Sequence, residues 1–385
     1  MKKLVWPLAH LVTALVFVAL AALVGATLSM SFCMPDPPPA LVRARRPGPS
    51  TIHPSGRPVV AIVLGNTQSE VTDVLGPFAM FAEADTYDVY TVAETRTLRT
   101  LTGGLEVVPH LSFRELDALV PEGPAIVVVP AMLGASEASN ERVRAWLRER
   151  ARSESILFSW CSGAEVLAAS GVVDGRAVTT HWGDIGRFEG AYPAVRWTRD
   201  ARYVESERLL TTGGLTAGID ATLHLLAWRD GLDVAVRVAR SLRIPRSPFV
   251  ESPSMRQFEF EPADAIYVSN LAFRWPKRRT GLFLHASVGE LELASVLDVY
   301  GASFTDVVTT VAASPSVVSR HGLTLVPRAR ASEAPDMERV FVVDEPEGAS
   351  NARAAARAAI GTRTPIRRLH AAGSSDYPYL AALEA

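Results

Sequence analysis

Cysteine is nearly missing from this chain: two occur among 385 residues, Cys33 and Cys161. No disulfide framework and no cysteine-based zinc site is available, so Cys161 acts, if it acts, as a free thiol. An excess of charge of one sign is also absent. The formal net charge is -2 and the pI lies near 6.5, which leaves no basic footprint. No helix-turn-helix, zinc-finger or aromatic-basic single-strand pattern is visible, and a nucleic-acid partner is not expected. Nothing points to a metal or an organic cofactor, and none is expected. Charge is missing altogether from one long stretch: between Leu4 and Phe32 the only ionisable side chain is His10.

That stretch, "MKKLVWPLAHLVTALVFVALAALVGATLSMSF", contains about 20 residues, Leu11 to Met30, of a length that crosses ~30 Å of hydrocarbon as a helix. Residues 1–33 are read as a transmembrane anchor or a signal segment. The apolar run exceeds the ~7–15 residues of a usual signal core, which favours an anchor. Lys2 and Lys3 favour a cytoplasmic N-terminus and an extracytoplasmic soluble part. Arg43, Arg45 and Arg46 pull the other way. Residues 34–57 are dense in Pro, Arg, Gly and Ser and read as a linker.

What is abundant is apolar residue, 48% of the chain against 21% charged, enough for a large core and for two domains or slightly more. From Pro58 onward short β-rich runs alternate with helical patterns: "VVAIVL" (59–64), "DVLGPFAMFAEA" (73–84), "YDVYTVA" (87–93), "AIVVVP" (125–130), "ERVRAWLRERA" (141–151) and "SILFSW" (155–160). Alternation of this kind predicts an α/β fold with a parallel sheet covered by helices on both faces. One or two further helices over 214–242 close the domain near Pro245.

Compared with itself, the chain shows a weak internal repeat. Residues 59–109 correspond to 280–327, with Asp73 opposite Glu292 and Pro109 opposite Pro327, and "RVFVVDEP" answers "AIVVVP". No counterpart of "SILFSWCSG" is found. Residues 246–279 read as a linker and 280–385 as an incomplete second α/β copy of three or four strands, without a cysteine. Such a half-sheet needs cover, by the first domain or by another chain as in a homodimer.

The chemistry centres on "SILFSWCSGAEVLAASGVVDGRAVTTHW" (155–182). A strand passing into a helix through a tight turn places Cys161 over the carboxyl end of the sheet, facing the helix N-terminus, a setting that lowers a thiol pKa. The alternative is an inert, buried cysteine. Asp184 reads as a solvated loop residue and His224, in "DATLHLL", as core.

The combination of "WCSGAEVLAASGVVDGRAVTTHW" with "GLTAGIDATLHLL" resembles the ThiJ/PfpI superfamily of class I glutamine amidotransferase-like domains, in the branch of isonitrile hydratases and the ligand domains of AraC-type regulators. The resemblance covers 58–245 and implies a flavodoxin-like parallel sheet sandwiched by helices. It places the family's elbow cysteine on Cys161, the following hydroxyl residue on Ser162, its histidine on His181 and its acid, in "D-x-x-G-P", on Asp73. Asp73 is then the proton carrier within hydrogen-bonding distance of Cys161. His181 either assists the thiol or holds substrate, or is structural. Ser162 replaces the histidine of the protease-like branch, which disfavours peptidase activity. Pro130-Ala131-Met132 stands where the family has Pro-Gly-Gly, so the amides of Ala131 and Met132 are the expected oxyanion donors. The implied function is a membrane-tethered, cysteine-dependent hydrolase or lyase acting on a small electrophile. The competing reading is a small-molecule-binding or sensing domain without turnover.

Overall fold

The computed structural model describes residues 2–33, 52, 55–259, 262, 265–344, 355–358 and 366–370. Most of the expected 34–57 linker and most of the segment after "RVFVVDEP" lie outside the described residues.

The chain starts with helix α1 (Lys2–Cys33). Within it Val12–Ser31, of mean hydropathy 2.3, is long and apolar enough to cross a membrane. The first α/β unit then runs β1 (Val59–Val63), α2 (Val71–Ala84), β2 (Asp88–Ala93), β3 (Arg99–Leu101), β4 (Leu105–Val108), β5 (Leu111–Ser112), α3 (Phe113–Leu119) and β6 (Ile126–Val129). It continues with α4 (Glu141–Arg150), β7 (Ile156–Ser159), α5 (Gly163–Ala169), β8 (Ala177–Val178), α6 (Ile185–Ala191), β9 (Arg196–Trp197), β10 (Tyr203–Ser206), β11 (Leu209–Thr212), α7 (Leu215–Asp230) and α8 (Leu232–Ser241). The predicted strands and helices of this unit fall on β1, α2, β2, β6, α4 and β7.

Its main sheet has the order β10-β11-β7-β6-β1-β2-β5, parallel except for the β10–β11 pair. The central strands β1 and β6 are apolar at every position because both faces are covered. Val60 and Ile62 of β1 join one core cluster, and Val59, Ala61 and Val63 join the other. Helix α2 is held at its start by Glu70, whose carboxylate accepts from the Asp73 amide at 2.6 Å, as an N-cap does.

The second unit comprises α9 (Ala265–Phe273), β12 (Arg278–Phe283), α10 (Glu290–Val296), β13 (Asp306–Ala312), β14 (Val317–Val318), β15 (Thr324–Val326), β16 (Ala329–Arg330), β17 (Arg339–Asp344) and β18 (Ile366–His370). Two expectations need correction. The stretch 246–279 is not a plain linker, since it contains α9, whose apolar sequence packs against α1: Gly25 lies so close that a Cβ there would meet the Ala272 carbonyl oxygen at 1.8 Å. The second sheet has five strands, β16-β13-β12-β17-β18. Strand β18 pairs parallel with β17, in the position that β7 takes beside β6. Its sequence, Ile-Arg-Arg-Leu-His, carries no apolar run, and so no strand was visible there.

The half-sheet is covered by the first unit. Strand β15 pairs antiparallel with β4 to make a four-stranded sheet β14-β15-β4-β3 that belongs to both units. Leu282, Leu284, Leu291 and Phe341 share one core cluster with Val60, Phe78 and Phe81. At the seam His321 joins Glu290 (Nδ1 to Oε2, 2.8 Å) and Glu83 of α2 (Nε2 to Oε2, 3.1 Å).

Burial opposes the charge on His321, but the two carboxylates outweigh it and raise its pKa above 6.5. Burial likewise opposes the charge on Glu290, and the His321 contacts outweigh it and hold the carboxyl below 4.5. The histidine's contribution is complete below 6.5 and fades as pH rises through its raised value. The glutamate's is complete above 4.5 and fades as pH falls through its lowered value. The stability advantage of the wild type over His321→Gln should therefore be greatest between these two pH values and shrink on either side. Urea titrations of both proteins from pH 4 to 9 measure it, and a pH-independent difference would refute the bridge.

Candidate functional site

The loops at the carboxyl ends of β1, β6 and β7 meet the first turn of α2, and the candidate site lies there, where open parallel sheets place their ligands. Strand β7 ends at Ser159, the next residue, Trp160, is fully buried, and the chain reverses at Cys161. Cys161 has φ +50°, in the left-handed region that a cysteine rarely adopts and that functional turns retain when the surroundings enforce it. Here they do. The Cys161 amide donates to Thr212 Oγ1 at 3.3 Å and its carbonyl accepts from Thr180 Oγ1 at 3.1 Å. Gly163 completes the elbow by letting α5 approach β6: a Cβ at Gly163 would sit 2.0 Å from the Val129 carbonyl oxygen.

Cys161 is buried, with 9% of its surface exposed, which corrects the expectation of an open, thiolate-stabilising elbow. Burial first, then the charges of Asp73 and Glu70, push the thiol well above its usual range. The backbone and side chain of Ser162 oppose them. At neutral pH the group is a thiol, because burial, joined by the neighbouring carboxyls, outweighs any gain from the short helix α5.

Asp73 is fully buried. Burial raises its carboxyl to about 7, opposed by the Ala131 amide, which donates to Oδ2 at 3.0 Å. Oδ1 meets no hydrogen-bond partner. Among the described contacts no hydrogen bond joins Asp73 to Cys161, so the predicted direct bond is replaced by a through-space interaction. The Ala131 amide, expected to serve an oxyanion, is occupied by Asp73. Met132 is buried and bridges Ser69.

Ser162 is where the sequence placed it, 4.0 Å from Cys161 Sγ, and its hydroxyl donates to Asp184 Oδ2. Asp184 is thus no solvated loop residue. Its other oxygen accepts from Arg187 at 2.9 Å, and it anchors the hydroxyl beside the thiol. His181 is partly buried, its Nδ1 accepts from the Gly183 amide at 3.3 Å, and burial lowers its pKa. No hydrogen bond to Cys161 is among its described contacts, so it fits the structural or substrate-holding role better than that of a base. His224 is not core: it is part-exposed, with Nδ1 3.0 Å from the Val250 carbonyl and Nε2 3.0 Å from Glu205.

Sequence reasoning missed Glu70, whose carboxyl is raised well above its usual range by burial and by Asp73. Its position three residues before Asp73, at the N-cap of α2, was the available signal.

A cysteine on a strand-to-helix elbow, set beside a buried acid within a flavodoxin-like α/β unit, defines this class of protein. Residues 59–227 match the DJ-1/PfpI family. The chain is 30% identical over 190 residues to an isonitrile hydratase of Pseudomonas putida, covering 49% of this chain and 79% of that protein. The chain belongs to the DJ-1/PfpI family. It is also 36% identical over 101 residues to the HTH-type transcriptional regulator CdhR of Pseudomonas aeruginosa, over 26% of this chain and 30% of that protein. Among solved structures, a THiJ/PfpI family protein from Pseudomonas syringae aligns with TM-score 0.45 and 22% identity, over 69% of this chain and 98% of that one.

Proposed function

We propose that this protein is a membrane-tethered, cysteine-dependent hydrolase or lyase of the isonitrile hydratase type, acting on a small electrophile. The observation that carries the reading is the left-handed Cys161, held by two threonine hydroxyls beside a buried acid whose pKa is about 7. A thiol and a protonated carboxyl side by side add to an electrophile without separating charge. Asp73 delivers its proton to the substrate, the Cys161 sulfur bonds to the electrophilic carbon, and the thiol proton returns to Asp73. Water then displaces the sulfur.

With a small alkyl isonitrile, wild-type protein should form the corresponding formamide, and Cys161→Ala should lower that rate by about 10³-fold or more. Product formation followed by NMR decides it. Full activity in the alanine variant would remove the mechanism.

A second reading is favoured by the Ala131 amide, which serves Asp73 and leaves that oxyanion position without its expected donor. On this reading the domain binds a small molecule without turnover, as its similarity to part of a regulator supports. Saturable binding with no product in the same experiment would establish it.

The apolar helix Val12–Ser31 supports anchoring, with the soluble part extracytoplasmic. Sequencing the mature N-terminus separates a retained anchor from a cleaved signal. We read the second unit as a partial copy of the first, supported by the shared order β5-β2-β1-β6 and β16-β13-β12-β17. Glu292, opposite Asp73 in that copy, pairs with Arg320 at 3.3 Å, in keeping with a structural role.

A further inference from the structure

Two strongly apolar helices of the chain, α1 and α9, lie against each other. They meet at Gly25 and Ser29, where small side chains let the backbones approach. A Cβ on Gly25 would lie 1.8 Å from the Ala272 carbonyl oxygen, and the Ser29 hydroxyl donates to the Leu271 carbonyl. Small residues four apart are a common seam between helices packed in a bilayer. Away from this seam α9 is uncovered. Ile266, Tyr267, Val268 and Phe273, with Trp275 just beyond them, stay exposed, Ile266 by 67%. A helix on a water-soluble surface turns such side chains to the core. Here they stand beside a helix whose own Leu23, Val24 and Leu28 are exposed as well.

Depth decides what covers this face. At ~1.5 Å per residue, Gly25 lies ~9 Å from the end of the apolar span at Ser31. With α1 across a bilayer, α9 meets it within the last ~9 Å of the hydrocarbon, and helices that lie in a membrane interface sink to a similar ~5–10 Å. Charge agrees with that placement. Residues 265–279 contain four basic and no acidic side chains. Three of them, Arg274, Arg278 and Arg279, are exposed at the end of the apolar helix, next to Phe273 and Trp275. The fourth, Lys277, is turned inward. Its Nζ donates to the Asn270 and Phe304 carbonyls at 2.6 and 2.7 Å and lies 4.9 Å from the Trp275 ring, which ties that ring to the second unit. Aromatic rings and arginines at the rim of an apolar surface are what the headgroup layer accommodates.

We propose that α9 and the segment 273–279 seat the second unit on a phospholipid bilayer with anionic headgroups, on the side where α1 leaves the hydrocarbon at Ser31. The apolar side chains of α9 enter the acyl boundary, and the three exposed arginines pair with lipid phosphates. The second unit, which carries no cysteine, thereby becomes the seat of the chain on the membrane, and the sheet shared through β4 and β15 fixes the Cys161 unit to that seat. The inference rests on the reading of α1 as a retained membrane anchor.

The test uses the full-length chain in vesicles of phosphatidylcholine and phosphatidylglycerol whose acyl chains carry bromine near the headgroup end. Bromine quenches tryptophan on contact, and the difference in emission between wild type and Trp275→Phe isolates Trp275. That difference should fall at least ~2-fold in brominated relative to unbrominated vesicles. Arg274→Glu/Arg278→Glu/Arg279→Glu should lose most of this quenching, while the corresponding triple lysine variant retains it and controls for folding. Alkaline washing reads α1 separately, because a spanning helix stays with the vesicle pellet. A retained protein whose Trp275 is unquenched overturns this inference alone and means that protein, such as a second copy of the chain, covers the face. Undiminished quenching in the triple glutamate variant overturns the assignment of anionic headgroups. Loss of the wild type from the washed pellet overturns the anchor reading, and this inference with it.

Discussion

Replacing Arg328 with leucine should destabilise the protein by about 3–5 kcal/mol, the usual consequence of stranding one member of a buried ion pair. Glu106, on β4 of the first unit, is wholly buried, and Arg328, which follows β15 of the second, is nearly so. Arg328 Nε and Nη2 donate to Glu106 Oε1 at 3.0 and 2.6 Å, and Thr100 Oγ1 donates to Oε2 at 2.7 Å. Leucine at 328 would take the guanidinium away from this buried carboxylate, at the centre of the sheet that the two units build together. The double variant Glu106→Leu/Arg328→Leu removes the stranded charge and should recover most of the loss. Denaturant midpoints at unchanged slope report both values. A single-variant cost below about 1 kcal/mol, or a double variant no better than the single, would mean that the pair does not hold the units together.

The first unit was legible because its signals are local. Fully apolar runs such as Val59–Val63 announce strands buried on both faces, and Cys-Ser-Gly after "SILFSW" announces the elbow. What escaped reading depends on contacts distant in sequence. The pairing of Ser162 with Asp184 and of Asp73 with the Ala131 amide spans 22 and 58 residues. Neither can be inferred from residue type, since an aspartate after His-Trp-Gly looks like any loop residue and an amide at Pro-Ala-Met looks free. The state of the thiol escaped for the same reason. A helix N-terminus favours a thiolate, yet burial first, then two carboxyls, one of them an unnoticed N-cap, reverse the sign. Strand β18 escaped because its polar sequence gives no periodic signal.

The elbow itself makes the second large prediction. Gly163→Ala should cost about 3 kcal/mol or more and strip Cys161 of its reactivity, because the added methyl would lie 2.0 Å from the Val129 carbonyl oxygen and 2.9 Å from the Pro130 carbonyl carbon. Both are backbone atoms at the end of β6, with no side chain to turn aside. That carbonyl already accepts from the Trp160 amide at 3.0 Å. Relief of the clash must therefore either break the bond that fixes the residue before Cys161 or move α5 away from the sheet. Gly186→Ala in α6 is the proper contrast, since nothing lies within 4 Å of its Cβ position and its helical backbone should gain up to about 1 kcal/mol from alanine. Urea midpoints and methyl methanethiosulfonate modification at Cys161, measured on both variants, test the two halves together. If Gly163→Ala kept wild-type stability and wild-type Cys161 reactivity, the close approach of α5 to β6 would not be what holds the cysteine in its left-handed turn.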